Sequence, residues 1–180
     1  MTFTKFQFNN FCYWPSNPKK IVEFIGGSYL ASKPDLTYRR FIESLINKNY
    51  AVHAYKYTPQ FDHQQLAIKA WRDFKNCRIS LSKRIGASIP SIRIGHSLGC
   101  KLHLISPDGG RNCEKFISIS FNNFSANKSI PLLKQISQKL EFKSEFSPSP
   151  ERTLRLIEKT YSQKNNFLIK FNSDELDQTD

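Results

Sequence analysis

The sequence predicts an α/β fold, in which a mainly parallel sheet is covered by helices on both faces. Short apolar runs alternate along the 180 residues with stretches of helical periodicity, which is the pattern of βαβ units. Each helical stretch is long enough to carry the chain back for a parallel pairing. A serine flanked by glycines also lies between a strand and a helix at residues 95–99. We expect one domain over residues 1–180.

The predicted elements follow one another in a regular order. Apolar or β-branched runs bounded by turn residues predict strands at 20–25, 50–55, 92–94, 116–121 and 167–171. Apolar residues at helical spacing predict helices over 35–46, 62–74, 98–105, 130–140 and 149–161. Asp35, Asp62 and Ser149 are each placed to cap the helix that follows. The strand-free stretch at about 125–165 predicts a helical cap inserted over the site.

Gly95-His96-Ser97-Leu98-Gly99 is the strongest functional motif of the chain. It matches the G-x-S-x-G nucleophile elbow of α/β-hydrolases, and it has the strand before it and the helix after it that this motif requires. The glycines allow the backbone to crowd around the serine without a Cβ clash. The motif therefore predicts an α/β-hydrolase-like fold with Ser97 as the candidate nucleophile.

Ser97 needs oxyanion donors and an acid as well as a base. The Leu98 N–H is one candidate donor, because Leu98 directly follows the serine. The other is an N–H of Gly27 or Ser28, in the loop after an earlier strand. His96, inside the elbow, is a further candidate for binding substrate. The chain order Ser, Asp, His points to Asp174 or Asp177, which follow the strand at 167–171, with Asp174 preferred.

No histidine of the sequence lies at the chain position where the general base of such a site is expected. The histidines are at positions 53, 63, 96 and 103, and none follows the acid. His63 alone lies at the expected edge of the sheet, although anchoring the loop and the helix start is the alternative role for it. A serine without a base keeps only the catalysis that oxyanion donors and binding provide. The sequence thus predicts an incomplete triad.

Composition narrows the other function classes. The net charge is +12, from 27 basic and 15 acidic residues, but the basic residues are dispersed and no nucleic-acid motif accompanies them. No segment approaches the about 20 apolar residues of a membrane span. The four cysteines have neither disulfide nor metal spacing. We expect a cytoplasmic protein, or one of a plastid-like compartment, with reduced thiols, no metal and no cofactor.

Several segments together resemble one family. The chain is similar, from about Trp14 to Thr179, to the α/β-hydrolase-like domain of unknown function 1350 from photosynthetic lineages. The resemblance implies the hydrolase fold but no substrate. It also implies a further strand and helix after the segment at 174–179, so an apparent truncation at Asp180 is expected. The segments that carry it are 24–27, 37–39, 61–64, 95–104, 120–123, 146–151 and 168–171.

Three functions remain open from the sequence. The first is a serine hydrolase of small-molecule or lipid esters, whose substrate would lie against an apolar lining of Phe124, Phe142 and Phe146. The second is a non-catalytic binding or structural module on the same scaffold. The third is a basic protein that binds nucleic acid or an anionic surface, for which steep salt dependence would be the signature.

Overall fold

A mixed sheet of seven strands runs through the computed structural model, which describes residues 2–129, 145–173 and 177–178. The strand order across the sheet is β1-β2-β4-β3-β5-β6-β7. All neighbours from β4 to β7 pair in parallel, whereas β1 and β2 are antiparallel. The strands are β1 Thr2–Gln7, β2 Asn10–Pro15, β3 Lys20–Ile25, β4 Tyr50–Tyr55, β5 Ser91–His96, β6 Lys115–Ile119 and β7 Asn166–Ile169.

Helices connect the parallel strands and lie on both faces of the sheet. None of those in the described part of the chain combines the length and apolarity needed to cross a membrane. The helices are α1 Pro34–Thr37, α2 Arg39–Asn47, α3 His63–Ile85, α4 Leu98–Leu104, α5 Ala126–Ser129 and α6 Pro150–Thr160. The α/β-hydrolase-like fold predicted from the sequence is confirmed.

Two of the three predicted caps, Asp62 and Ser149, are confirmed. The prediction for Asp35 is wrong, because Asp35 lies within the first turn of α1, and α2 begins at Arg39 without a side-chain cap. The Asp62 carboxylate accepts the Gln65 N–H at 2.8 Å and starts α3, and the Ser149 hydroxyl accepts the Arg152 N–H at the start of α6. The predicted helix at 130–140 lies outside the described residues. The cap inserted at about 125–165 therefore stays a prediction for its central part.

The N-terminal hairpin is the part that the sequence analysis missed. Phe8 and Asn9 join β1 to β2, with φ of 46° and 52°. Positive φ at both positions is typical of the two-residue hairpin turns that match the twist of the strands. Phe-Asn is not a standard signal for such a turn, which explains the omission. β2 then pairs with β4 and places Cys12 beside His53.

Side chains that alternate along the central strands form a core on each face. Val22 and Phe24 of β3 pack with Ile42 of α2 on one face. Ile25 packs with residues of α3 and α4, such as Phe74 and Leu102, on the other. This double cover explains why β3 and β5 are almost fully buried. It also fixes the carboxyl ends of these strands side by side.

Candidate active site

Ser97 lies on a sharp turn between β5 and α4, as the elbow motif predicts. Its backbone has φ 55° and ψ −121°, a region that non-glycine residues rarely occupy and that costs about 1–3 kcal/mol. The Ser97 N–H donates to the carbonyl of Ile119 on β6 at 3.0 Å. The turn is therefore tied to the neighbouring strand, and the strain is held by the packed sheet.

Two glycines make this turn sterically feasible. A Cβ on Gly95 would lie 2.6 Å from the backbone N and Cα of Cys100 in α4. A Cβ on Gly99 would collide with the carbonyl oxygen of Ile25 at the end of β3. Both clashes involve backbone atoms, which cannot move aside. The glycines thus let α4 lie directly against the strand ends.

The Ser97 hydroxyl has a partner that the sequence analysis did not anticipate. The side-chain amide of Asn122, in the segment after β6, donates from Nδ2 to Ser97 Oγ at 2.8 Å. An amide does not take up a proton at neutral pH. Asn122 can therefore orient the hydroxyl, but it cannot serve as its base. Its position was contained in the segment 120–123 that carries the family resemblance.

The backbone at Gly27 and Ser28 lies beside the serine. A Cβ on Gly27 would be 3.2 Å from the Ser97 Cβ, so this loop lies directly against Ser97. The Gly27 N–H, however, donates to the Tyr38 hydroxyl at 2.9 Å. The Ser28 residue lines the adjoining cavity. The Gly27 N–H thus already has an acceptor, and Leu98, the other candidate donor, is the first residue of α4.

Tyr38 organises this side of the site. Its hydroxyl accepts the Gly27 N–H and lies 2.9 Å from Nδ1 of His96, and its ring packs edge-on against Phe24. Burial raises the pKa of Tyr38. The tyrosine thus holds the oxyanion loop against the elbow, and His96 is packed against Tyr38.

Replacing Tyr38 with phenylalanine should lower the free energy of unfolding by about 1–2 kcal/mol, because the buried Gly27 N–H loses its acceptor. Urea unfolding of the wild type and Tyr38→Phe measures the difference. Tyr29→Phe is the matched control, because the Tyr29 side chain is 68% exposed. Equal stabilities of the two variants would show that the Tyr38 hydroxyl does not hold the loop.

His63 lines the cavity but is not hydrogen-bonded to Ser97. Its ring stacks on Phe146, with centroids 4.2 Å apart, and its Nδ1 has no hydrogen-bond partner among the described residues. Burial, reinforced by the nearby charge of Lys101, lowers its pKa to about 3. His63 is therefore a neutral, packed imidazole in this arrangement, next to the cap residue Asp62.

Two of the other histidines lie in the core. His53 on β4 accepts the Trp14 indole N–H at 2.9 Å, and His103 on α4 stacks on Phe74. Burial lowers the pKa of each to about 3. Their role is structural. Within the described part of the chain, no histidine is hydrogen-bonded to the Ser97 hydroxyl.

Of the two candidate acids, one lies within the described residues. Asp174, the preferred acid of the sequence analysis, lies outside the described residues. Asp177 is described, and the next residue docks beside the elbow. The Gln178 N–H donates to the Phe121 carbonyl, and the Gln178 Oε1 accepts the Asn123 N–H, both at 2.6 Å. Asp177 is also close enough to Cys100 of α4 to act electrostatically on that thiol.

Next to this turn is a cavity of about 450 Å³. It lies beyond the carboxyl ends of the strands, where open α/β sheets bind ligands. Its volume is within the range of small-molecule sites. The lining includes Asn122, which holds the Ser97 hydroxyl, and Leu98. Further lining residues are Ser28, Phe61, His63, Lys101, Phe124 and Phe146. Phe142, the third aromatic expected here, lies outside the described residues.

A metal centre finds no support in the geometry. Over residues 2–129, 145–173 and 177–178, no three His, Cys, Asp or Glu side chains come together in a way that could hold a metal ion. The cysteines at 12, 77, 100 and 113 are buried and free.

Comparison with models of known protein families identifies the family of this chain. The model of one family, described as a protein of unknown function, DUF1350, matches residues 6–180. The chain belongs to the DUF1350 family. The resemblance inferred from the sequence segments is thereby confirmed. No curated protein is significantly similar to this DUF1350 chain.

Solved structures show what fold this DUF1350 protein has. TT1662 from Thermus thermophilus is similar over 94% of this chain and 88% of that one, with 10% identity and a TM-score of 0.54. The lipase BlEst2 from Bacillus licheniformis is similar over 86% and 65%, with 14% identity and a TM-score of 0.56. A monoacylglycerol lipase from Paleococcus ferrophilus is similar over 90% and 88%, with 11% identity and a TM-score of 0.53. At such low identities, the structural likeness shows a shared α/β-hydrolase scaffold and nothing about activity.

Proposed function

We propose that this DUF1350 protein is a serine hydrolase of small or lipid carboxylic esters, with Ser97 as its nucleophile. The observation that carries the proposal is the strained turn at Ser97. The Ser97 hydroxyl is hydrogen-bonded to Asn122, which lines a largely apolar cavity. Strain at a functional residue is retained where geometry matters more than stability. The similar structures named as lipases support an ester as the substrate class.

The proposed reaction follows from the groups around the serine. The Ser97 Oγ attacks the ester carbonyl, and the oxyanion that develops accepts hydrogen bonds from the N–H groups of Leu98 and Ser28. The proton of the Ser97 hydroxyl passes through solvent to the departing oxygen, so that the ester C–O bond breaks and the alcohol leaves. Water then attacks the acyl-serine and releases the acid, and one proton of that water returns to Ser97 Oγ. Asn122 keeps the hydroxyl at the cavity. The acid of the proposed site is Asp174, the preferred candidate, or Asp177, which precedes the docked residue Gln178.

Removal of the proton from the Ser97 hydroxyl limits the rate of the proposed reaction. The described hydrogen bond of Ser97 Oγ comes from Asn122, and His63, the candidate base, is stacked and neutral. Oxyanion donors and substrate binding without a functioning base sustain about 10³–10⁴-fold catalysis over water. We therefore propose that this protein is a slow hydrolase.

A fluorophosphonate probe tests the nucleophile directly. Wild-type protein should gain one covalent adduct, located at Ser97 by peptide mass spectrometry, and Ser97→Ala should gain none. Ser88→Ala is the matched control, because Ser88 is exposed and does not line the cavity. Hydrolysis of p-nitrophenyl butyrate should fall to the background rate in Ser97→Ala only. Labelling of wild type and Ser97→Ala to the same extent would refute the proposed nucleophile.

A non-catalytic binding module is the second candidate. The observation that favours it is the Asn122 amide, which occupies the Ser97 hydroxyl without being able to deprotonate it. In that case neither labelling nor hydrolysis would depend on Ser97, and the cavity would still bind its ligand in Ser97→Ala. The two candidates thus differ in one measurement on one variant.

A further inference from the structure

A lysine forms part of the wall of the cavity beside Ser97. Lys101 is in α4, four residues after the serine and thus about 6 Å further along the helix. Its side chain is only 1% exposed. The ammonium donates to the Pro148 carbonyl at 3.1 Å and lies 5.8 Å from the centre of the Phe146 ring. A buried cation therefore borders a space that is otherwise largely apolar.

The protein does not neutralise this charge in the part that the structure describes. Glu145 attracts Lys101 electrostatically, but its Oε1 accepts the N–H groups of Ala126 and Phe146 at 2.8 and 2.7 Å. No ion pair joins Lys101 to a carboxylate of the described residues. Burial consequently lowers the pKa of Lys101 to about 8. An ammonium has three donors, and the Pro148 carbonyl accepts only one of them.

The rest of the wall favours an apolar ligand. Phe61, Phe124 and Phe146 line the cavity together with Leu98, and burying a hydrocarbon chain against such surfaces is favourable by about 25 cal/mol per Å². A bound anion would recover the cost of burying this charge, because charge-assisted hydrogen bonds are stronger in a site that excludes water.

We propose that the cavity binds an amphipathic anion, with its hydrocarbon part against the phenylalanine side chains and its carboxylate or phosphate on the Lys101 ammonium. Combined with the proposed function, on which this part rests, the substrate is an ester with an acidic group on the portion that enters the cavity. The short path from Lys101 to Ser97 along α4 places the acidic group and the reacting carbonyl at two ends of one site.

Binding to the Ser97→Ala protein tests this inference without any need for hydrolysis. At pH 7, titration calorimetry with octanoate, octyl phosphate and octan-1-ol compares ligands with the same chain. At least one of the two anions should bind ten-fold or more tightly than the alcohol, and the tighter one identifies the preferred acidic group. Lys101→Met, made in the same background, should reduce the anion affinity to that of octanol and leave octanol binding unchanged. Equal affinities for all three ligands, or an anion preference that survives Lys101→Met, would overturn the proposal.

A second measurement needs no change at Lys101. Among the described residues, the groups that face its ammonium are Glu145 and His63. Burial lowers the pKa of His63 to about 3, so His63 stays neutral over the range tested. The preference for octanoate over octanol should therefore fade between pH 7 and 9.5 as Lys101 loses its proton. A constant preference over this range would contradict the role of Lys101. Anion binding without hydrolysis would refute the proposed function alone, and hydrolysis without anion preference would refute this inference alone.

Discussion

Replacing Arg93 with methionine is expected to lower the free energy of unfolding by about 3–5 kcal/mol. Arg93 of β5 is only 2% exposed, and its guanidinium donates two parallel hydrogen bonds of 2.8 Å to Asp108. It also donates from Nε to Glu23 of β3 at 3.2 Å. Methionine fills similar space but leaves both buried carboxylates without this cation. Urea unfolding, with unchanged dependence on denaturant concentration, measures the loss.

The control for Arg93 is an ion pair of the same kind on the surface. Arg39 and Glu43 are paired at 2.8 Å on one exposed turn of α2, and such pairs contribute less than about 1 kcal/mol. Arg39→Met should therefore leave stability almost unchanged. The double variant Arg93→Met with Asp108→Asn should recover part of the loss, because it removes the charge left at Asp108, whereas Glu23 keeps its ion pair with Arg78. A cost for Arg93→Met no larger than that for Arg39→Met would contradict this interpretation of the buried network.

The buried network also predicts a contribution from Asp108 at low pH. Burial alone would raise the pKa of Asp108, but the hydrogen bonds and charge of Arg93 outweigh burial and hold the pKa well below its usual range. The native state therefore binds this proton less readily than the unfolded chain. Its stabilising contribution is present above the ordinary aspartate pKa and is lost as the pH falls below about 4.

Acid is expected to destabilise the protein at a much higher pH than this, beginning near pH 6.5. His53, His63 and His103 are buried, and each has its pKa lowered from 6.5 to about 3. Between these values the unfolded chain binds three more protons than the native state. Stability is therefore fully present above pH 6.5 and falls with decreasing pH by up to about 4 kcal/mol per pH unit. Urea midpoints measured from pH 8 to 5 test the slope.

A variant with one histidine fewer provides the control for this pH dependence. In His63→Phe the ring can still stack on Phe146, and only two histidines remain to be protonated on unfolding. The slope of stability against pH below 6.5 should fall by about one third. Identical slopes for wild type and His63→Phe would show that His63 is not buried in its neutral form. A stability that stays constant down to pH 4.5 would contradict the assignment for all three histidines.

The elbow was predictable because each of its requirements is local. A strand, two glycines around a serine and a helix are adjacent in sequence, and the steric need for Gly95 and Gly99 follows from the crowding of that one turn. The caps at Asp62 and Ser149 were predictable for the same reason, since a cap acts on residues three positions away. The hairpin of β1 and β2 was missed because its turn, Phe8-Asn9, lacks the usual residues, and pairing with β4 makes up for this.

The partners of Ser97 could not be read from sequence spacing. Asn122 is 25 residues from the serine, and it reaches the hydroxyl only because β6 lies beside β5. Tyr38 reaches Gly27 because α2 covers that face of the sheet. Lys101 looked like one basic residue among 27 until the fold placed it against Pro148 and Phe146. In each case the decisive contact joins elements that are distant in the chain.

The sequence by itself determined the α/β-hydrolase scaffold and the position of the elbow, because periodicity, caps and tight turns are short-range properties, and its motif segments resembled one family. The tertiary structure decided what surrounds the elbow. It gave the Ser97 hydroxyl an amide partner, engaged the Gly27 N–H, buried His63 in its neutral form and placed the Lys101 ammonium in the cavity wall. These outcomes depend on which strands and helices pack side by side, and therefore on the burial and electrostatics that only the folded chain creates.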